Sequence, residues 1–162
     1  MAITVDTGSG QTASGSSLVP LAPIAGGYGY TVDDPGQSVL KNVVNALDQP
    51  NTLRFSVSAV NDVFKGSDAA PIAGQRVDGL SVLAQVTETW KVTDSVTGVV
   101  YYLPISAHMV IKVPVDANIT GAALQALVAR LAGSIDRGGT DMAETLTSLI
   151  HGVTHLDEYT TP

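Results

Sequence analysis

Hydrophobic and polar residues change their period along this chain. From Thr52 to Val60 they alternate strictly. Leu53, Phe55, Val57 and Ala59 take one side, and Thr52, Arg54, Ser56 and Ser58 take the other. A period of two with one polar face predicts a half-buried strand of an antiparallel sheet. Leu80–Thr93 predicts a longer strand of the same kind. Its Gln85, Thr87, Thr89 and Lys91 share one face, and Ala84, Val86, Trp90 and Val92 share the other, which Glu88 interrupts. Ser38–Leu47 is a further predicted strand. Asn61–Gly79, with Gly66, Pro71, Gly74 and Gly79, predicts a long loop, and Asp94–Gly98 a short turn. Val99–Val115 is extended again, and Pro104 and Pro114 limit where it pairs. Towards its end Met109, Ile111, Val113 and Val115 alternate with His108, Val110 and Lys112.

After residue 117 the period becomes helical. Leu124, Leu127, Val128, Leu131 and Ile135 follow at spacings of three and four. Thr120 precedes them as an N-cap, because its hydroxyl accepts from the free amides of the first turn. Gly138-Gly139 ends this helix or turns the chain. Asp141 and Glu144 have capping-box spacing, and Met142, Leu146, Leu149, Ile150 and Val153 form a second apolar stripe. At the other end, Ile3–Asp6 and Leu18–Ile24 are short β-prone pieces around the Gly/Ser/Thr stretch Thr7–Ser17. They predict a hairpin at an edge, since Pro20 and Pro23 cannot donate to a ladder. The expected organisation is one domain over 1–162. It has a Gly/Ser-rich hairpin region at 1–36, a sheet at 37–116, two helices at 117–156 and a tail at 157–162.

Strands followed by helices make an α+β protein. The apolar sheet face needs a cover, and the helices carry apolar stripes. The opposite face, rich in Thr, Ser, Gln, Arg and Lys, is wet or binds something polar. Charged residues make up only 14% of the chain against 44% hydrophobic ones. Such a composition folds, and it suits a protein that hides surface against partners. The net charge of −7, from fifteen acids and eight bases, argues against a strongly basic nucleic-acid binder. It leaves room for a weakly basic face. The absence of cysteine excludes disulfides, thiolate nucleophiles and cysteine zinc sites. No apolar run approaches the roughly 18 residues of a membrane span. The opening Met-Ala-Ile-Thr-Val-Asp has no basic region followed by an apolar stretch, so a soluble protein made in the cytoplasm is expected.

Catalytic motifs are missing or weak. There is no Gly-x-Ser-x-Gly elbow, no phosphate-binding loop and no dinucleotide fingerprint. Gly27-Tyr28-Gly29 follows no convincing strand and is read as a flexible turn. His151 and His155, four apart, have the spacing of two metal ligands, but no glutamate follows the first. They are better read as surface histidines near a helix C-terminus. His108 has no identifiable nucleophile or carboxylate beside it and is read as a polar-face residue. No cofactor is expected, and no enzymatic activity. The polar face itself offers Arg54, Lys91, Lys112 and His108 among Ser56, Ser58, Thr87 and Thr89, with Tyr102 as a stacking ring. Single-stranded RNA is recognised by such sets.

The stretch His108–Gly133, HMVIKVPVDANITGAALQALVARLAG, resembles the end of the coat proteins of the small single-stranded RNA bacteriophages, the leviviruses. Val113-Pro114-Val115 closes a strand, Asn118 and Thr120 form the linker, and an amphipathic helix follows. Upstream, Arg54-Phe55-Ser56-Val57-Ser58 and Gln85–Lys91 fall where the family's central strands fall. The resemblance implies an N-terminal β-hairpin, a five-stranded antiparallel sheet and two C-terminal helices packed over the sheet of a dimer partner. It implies a homodimer that closes an icosahedral shell in the virion, with genomic RNA on the inner sheet face and a translational-operator hairpin among its ligands. By position, the RNA-facing set is Arg54, Ser56, Ser58, Thr87, Thr89, Lys91, Tyr102, Ser106, His108 and Lys112. The acidity and the glycine-rich start also fit another expectation, a structural or adhesive β-module of a phage tail or fibre that binds no RNA.

Overall fold

The computed structural model describes residues 3–6, 27–135 and 142–152. They fall into two compact units, one holding the sheet and one holding the helices. In the sheet unit the strands are β1 (Ile3–Asp6), β2 (Tyr28–Asp34), β3 (Gln37–Asn42), β4 (Asn51–Val60), β5 (Gly79–Asp94) and β6 (Val100–Pro114). All pairings are antiparallel. The order β2-β3-β4-β5-β6 is the expected five-stranded sheet. The short β1 adds to β5 beyond the end of β4, pairing Ile3–Asp6 with Lys91–Asp94. The second arm of the expected hairpin, Leu18–Ile24, lies outside the described residues.

Two boundaries differ from the sequence reading. Tyr28 and Gly29 belong to β2, not to a flexible turn, so the sheet begins well before residue 37. Gly36, at φ 86°, and the preceding Pro35 reverse the chain between β2 and β3. Thr31 is the extra residue of a bulge in that pair. The strand expected over Ser38–Leu47 stops at Asn42. There the Asn42 Oδ1 accepts from the backbone N–H of Val44 (2.8 Å) and Asn45 (3.0 Å), which turns the chain out of the ladder.

The β5–β6 hairpin closes through Asp94. Its carboxylate accepts from the Val96 amide at 2.8 Å and from the Thr97 hydroxyl at 2.7 Å. These bonds, that from Thr97 foremost, hold the Asp94 carboxyl below the usual range. At the other end of β5, Gly79 is wedged against Val63 and the backbone of Val113, where a Cβ has no room. Residues 61–78 form the expected long loop, tied in part by the exposed Arg76–Asp78 ion pair.

Burial in the sheet is shallow. Among the described residues the buried hydrophobic side chains are Leu40, Leu53 and Val92. Phe55, Val57, Leu80, Tyr101, Leu103 and Ile105 stand more than a third exposed. β6 is bare along most of its length and, among the described residues, pairs only with β5.

In the helical unit, α1 spans Gly121–Ile135 and α2 spans Met142–Ile150. The cap is as expected: the Ala123 amide donates to the Thr120 hydroxyl at 3.3 Å, and the Leu124 amide to the Thr120 carbonyl at 3.2 Å. No residue of α1 is buried, although its apolar stripe is well developed. Gly138-Gly139, Asp141, Val153, His155 and the 157–162 tail lie outside the described residues.

Candidate nucleic-acid interface

Strand pairing decides which side chains share a face, because partners directly across a ladder point the same way. Leu53 faces Val86, which faces Ala107; Phe55 faces Ala84, which faces Met109; Val57 faces Val82, which faces Ile111. These rows make the apolar face. The alternate rows make the polar one. Thr52, Thr87 and Ser106 line up, as do Arg54, Gln85 and His108, and Ser58, Ser81 and Lys112. Further along, Thr89 lies opposite Pro104 and Lys91 opposite Tyr102. Ser56 completes the set in a row with Leu83 and Val110.

Every residue of the sequence-derived set, from Arg54 to Lys112, therefore lies on one face of one sheet. Register also adds a cation that sequence reasoning missed. Lys41 of β3 is opposite Thr52, so it joins the Thr52–Thr87–Ser106 row. Hydropathy carried no signal for it, because both faces of β3 mix polar and apolar residues: Gln37, Val39 and Lys41 on one, Ser38, Leu40 and Asn42 on the other. At roughly 3.4 Å per residue, the Lys112 row lies about 14 Å from the Arg54 row, and the Lys91 row about 20 Å beyond it. The cations thus mark a strip along the strands, with hydroxyls and amides between them.

Local bonds shape this face. The Arg54 guanidinium donates to the Gln37 Oε1 at 3.3 Å, which steadies an otherwise exposed side chain. The Tyr102 hydroxyl donates to the Asp48 Oδ2 at 2.6 Å. That bond holds the Asp48 carboxyl below its usual range and pushes the Tyr102 phenol up. His108 is exposed in the Arg54–Gln85–His108 row. Among the described residues no group of three or more His, Asp and Glu side chains is placed to hold a metal ion. His151 is exposed just after α2.

Glu88, the residue out of place in the alternation, does lie on the apolar face, in the row of Asn51 and Ile105. It accepts from the Trp90 indole N–H at 2.8 Å and from the Asn51 amide at 3.2 Å. The nearby Tyr28 phenol is pushed up by burial and by the charge of Glu88, against a hydrogen bond shared with Asn42. Among the described residues Asn51 is the most deeply buried side chain, and its Oδ1 has no hydrogen-bond partner there.

No protein-family model and no curated protein matches the chain. Solved structures do. The virus-like particle of bacteriophage AVE015 is 30% identical over 78% of this chain and 77% of its own, with a TM-score of 0.67. The virus-like particle of bacteriophage GQ-112 is 21% identical over 90% of this chain and 92% of its own, also at 0.67, a likeness of fold.

Proposed function

The chain belongs to the coat proteins of the single-stranded RNA bacteriophages, and from that premise we propose that it dimerises through its sheet and lines its shell with the polar face, against RNA. As a capsid protein it assembles into a shell and resides in the virion. The chemistry is association, with no bond made or broken.

The observation that carries the RNA reading is the common face of Arg54, Lys91 and Lys112 with His108, Tyr102 and the hydroxyls of Ser56, Ser58, Thr87, Thr89 and Ser106. Ammonium and guanidinium groups take phosphates. Hydroxyls and amides take base edges and 2′-hydroxyls, and a half-exposed ring stacks. A genomic hairpin at a translational operator is the ligand that family resemblance suggests for this surface.

Dimerisation is supported by what a single chain leaves open. The outer edge of β6 is unpaired among the described residues and carries exposed Val100, Tyr101, Leu103, Ile105 and Val110. Free edges of this length invite another strand. We assign that edge to the β6 of a second copy. The helices of each copy then cover the partner's apolar face, where Phe55, Val57 and Leu80 stand exposed.

Particles purified from an expression host test the reading. Nuclease-treated shells are expected to retain protected RNA. Replacing Arg54 and Lys112 together by Ala is expected to lower the RNA content and to flatten the salt dependence of binding by about two units of slope. Unchanged RNA content in that double variant would overturn the assignment. For the dimer, Leu127→Asp places a charge in the apolar stripe of α1. Native mass spectrometry is expected to find that variant without a stable dimer. A stable dimer in it would remove the helices from the interface.

A further inference from the structure

The polar face has an acidic visitor. Asp48 belongs to the loop between β3 and β4, which is held by its own polar groups. Besides the two bonds to Asn42, the Gln49 amide donates to the Ala46 carbonyl at 2.9 Å, and the Asn45 side-chain amide to the Gln49 carbonyl at 3.3 Å. From this base Asp48 reaches Tyr102, a residue 54 positions away in sequence, by the short bond already described. A hydroxyl that donates to a carboxylate at 2.6 Å makes a charge-assisted bond, stronger than a neutral one. Tyr102 lies directly opposite Lys91 in the β5–β6 register, and the Lys91 charge favours ionised Asp48. Among the described residues no ion pair joins Lys91 to Asp48, and Lys91 also lies opposite Asp6 in the β1–β5 register.

An anionic oxygen that accepts from the Tyr102 hydroxyl beside the Lys91 ammonium is what an RNA phosphate would offer at this corner. We propose that Asp48 is a built-in phosphate mimic, occupying the Lys91–Tyr102 corner of the polar face and lowering its affinity for single-stranded RNA until RNA displaces it. This rests on the reading of that face as the RNA interface. Displacement exchanges one acceptor for another on the same hydroxyl and moves a negative charge out of the strip. In a chain with only eight basic residues, a carboxylate bonded into a strip of four cations lowers the local field. It keeps loose, sequence-independent binding weak, because that binding is mostly phosphate neutralisation.

The test titrates the full-length protein with fluorescently labelled polyuridylate over a series of salt concentrations. Asp48→Asn keeps an oxygen for the Tyr102 hydroxyl and removes the charge. It is expected to bind roughly three- to tenfold tighter at low salt, with a salt slope steeper by about one unit. Asp48→Ser, also neutral, is expected to tighten binding in the same direction. Asp48→Glu, which keeps the charge, is expected to match the unmodified protein. If both neutral variants bind no tighter while the Arg54/Lys112 double variant binds more weakly, Asp48 is no brake and the RNA interface stands. If the unmodified protein and every variant fail to bind at low salt, the RNA interface falls, and the brake with it.

Discussion

On the apolar face of the sheet Glu88 sits in a row with Asn51 and Ile105. On the polar face Leu83 and Val110 sit in a row with Ser56. Each face thus carries residues of the wrong kind, and they are treated differently. Glu88 is met by two donors, the Trp90 indole and the Asn51 amide. Leu83 and Val110 are met by nothing special, and Val110 is half exposed. The asymmetry follows from solvation. A carboxylate withdrawn from water needs replacement hydrogen bonds, whereas an apolar side chain near water loses only part of a burial gain.

The largest effect that separates the faces is expected at Leu53. It is 6% exposed, between Leu40 and Val86 across the ladders. Leu53→Ala is expected to lower stability by about 2–4 kcal/mol, because the rigid sheet around it closes poorly over the lost volume. Chemical denaturation under conditions where no shell forms measures it, since assembly adds its own stabilisation by mass action. A loss well under 1 kcal/mol would mean that the apolar face of the sheet is no core at all.

The same alternation that exposes this contrast was legible in the sequence. Leu53–Ala59 and Ala84–Val92 announced an apolar side, and Arg54–Ser58 and Gln85–Lys91 a polar one. Thr120 announced the start of α1. What the sequence hid was non-local or glycine-masked. The start of β2, Tyr28-Gly29, reads as part of a flexible turn with Gly27, and the rest of β2 falls in the Gly/Ser-rich region at 1–36. Its pairing to β3 overrides that composition. The early end of β3 depends on one side chain, Asn42, turning back on its own backbone. Lys41 joined the polar strip only through register. The Asp48–Tyr102 bond joins two residues that no spacing connects, a turn residue and a strand residue brought together by the order β3-β4-β5-β6.

A middle-sized effect is expected at Glu88 itself. Glu88→Ala strands the Trp90 N–H and the Asn51 amide on a partly buried surface, where the Asn51 Oδ1 already lacks a partner among the described residues. The expected loss is about 1–3 kcal/mol by the same denaturation measurement. Glu88→Gln retains an acceptor oxygen and is expected to lose less. Should both variants match the unmodified protein, the two donors would be solvated in the native state, and the contrast between the faces would weaken.

The smallest effect is expected where the polar face carries its intruder. Val110 is 50% exposed on β6, opposite Leu83. Val110→Thr keeps the β-branched shape that suits a strand and adds a hydroxyl that water can reach. A partly exposed site without a special contact tolerates such a change within about 0.5 kcal/mol. The added hydroxyl joins a strip already lined by Ser56, Ser58 and Ser106, so polyuridylate binding should hold or strengthen slightly. A loss of stability comparable to that at Leu53 would place Val110 in a packed environment. The β6 side of the polar face would then be covered by protein in the dimer, and the RNA strip would shrink to its Arg54 and Lys41 side.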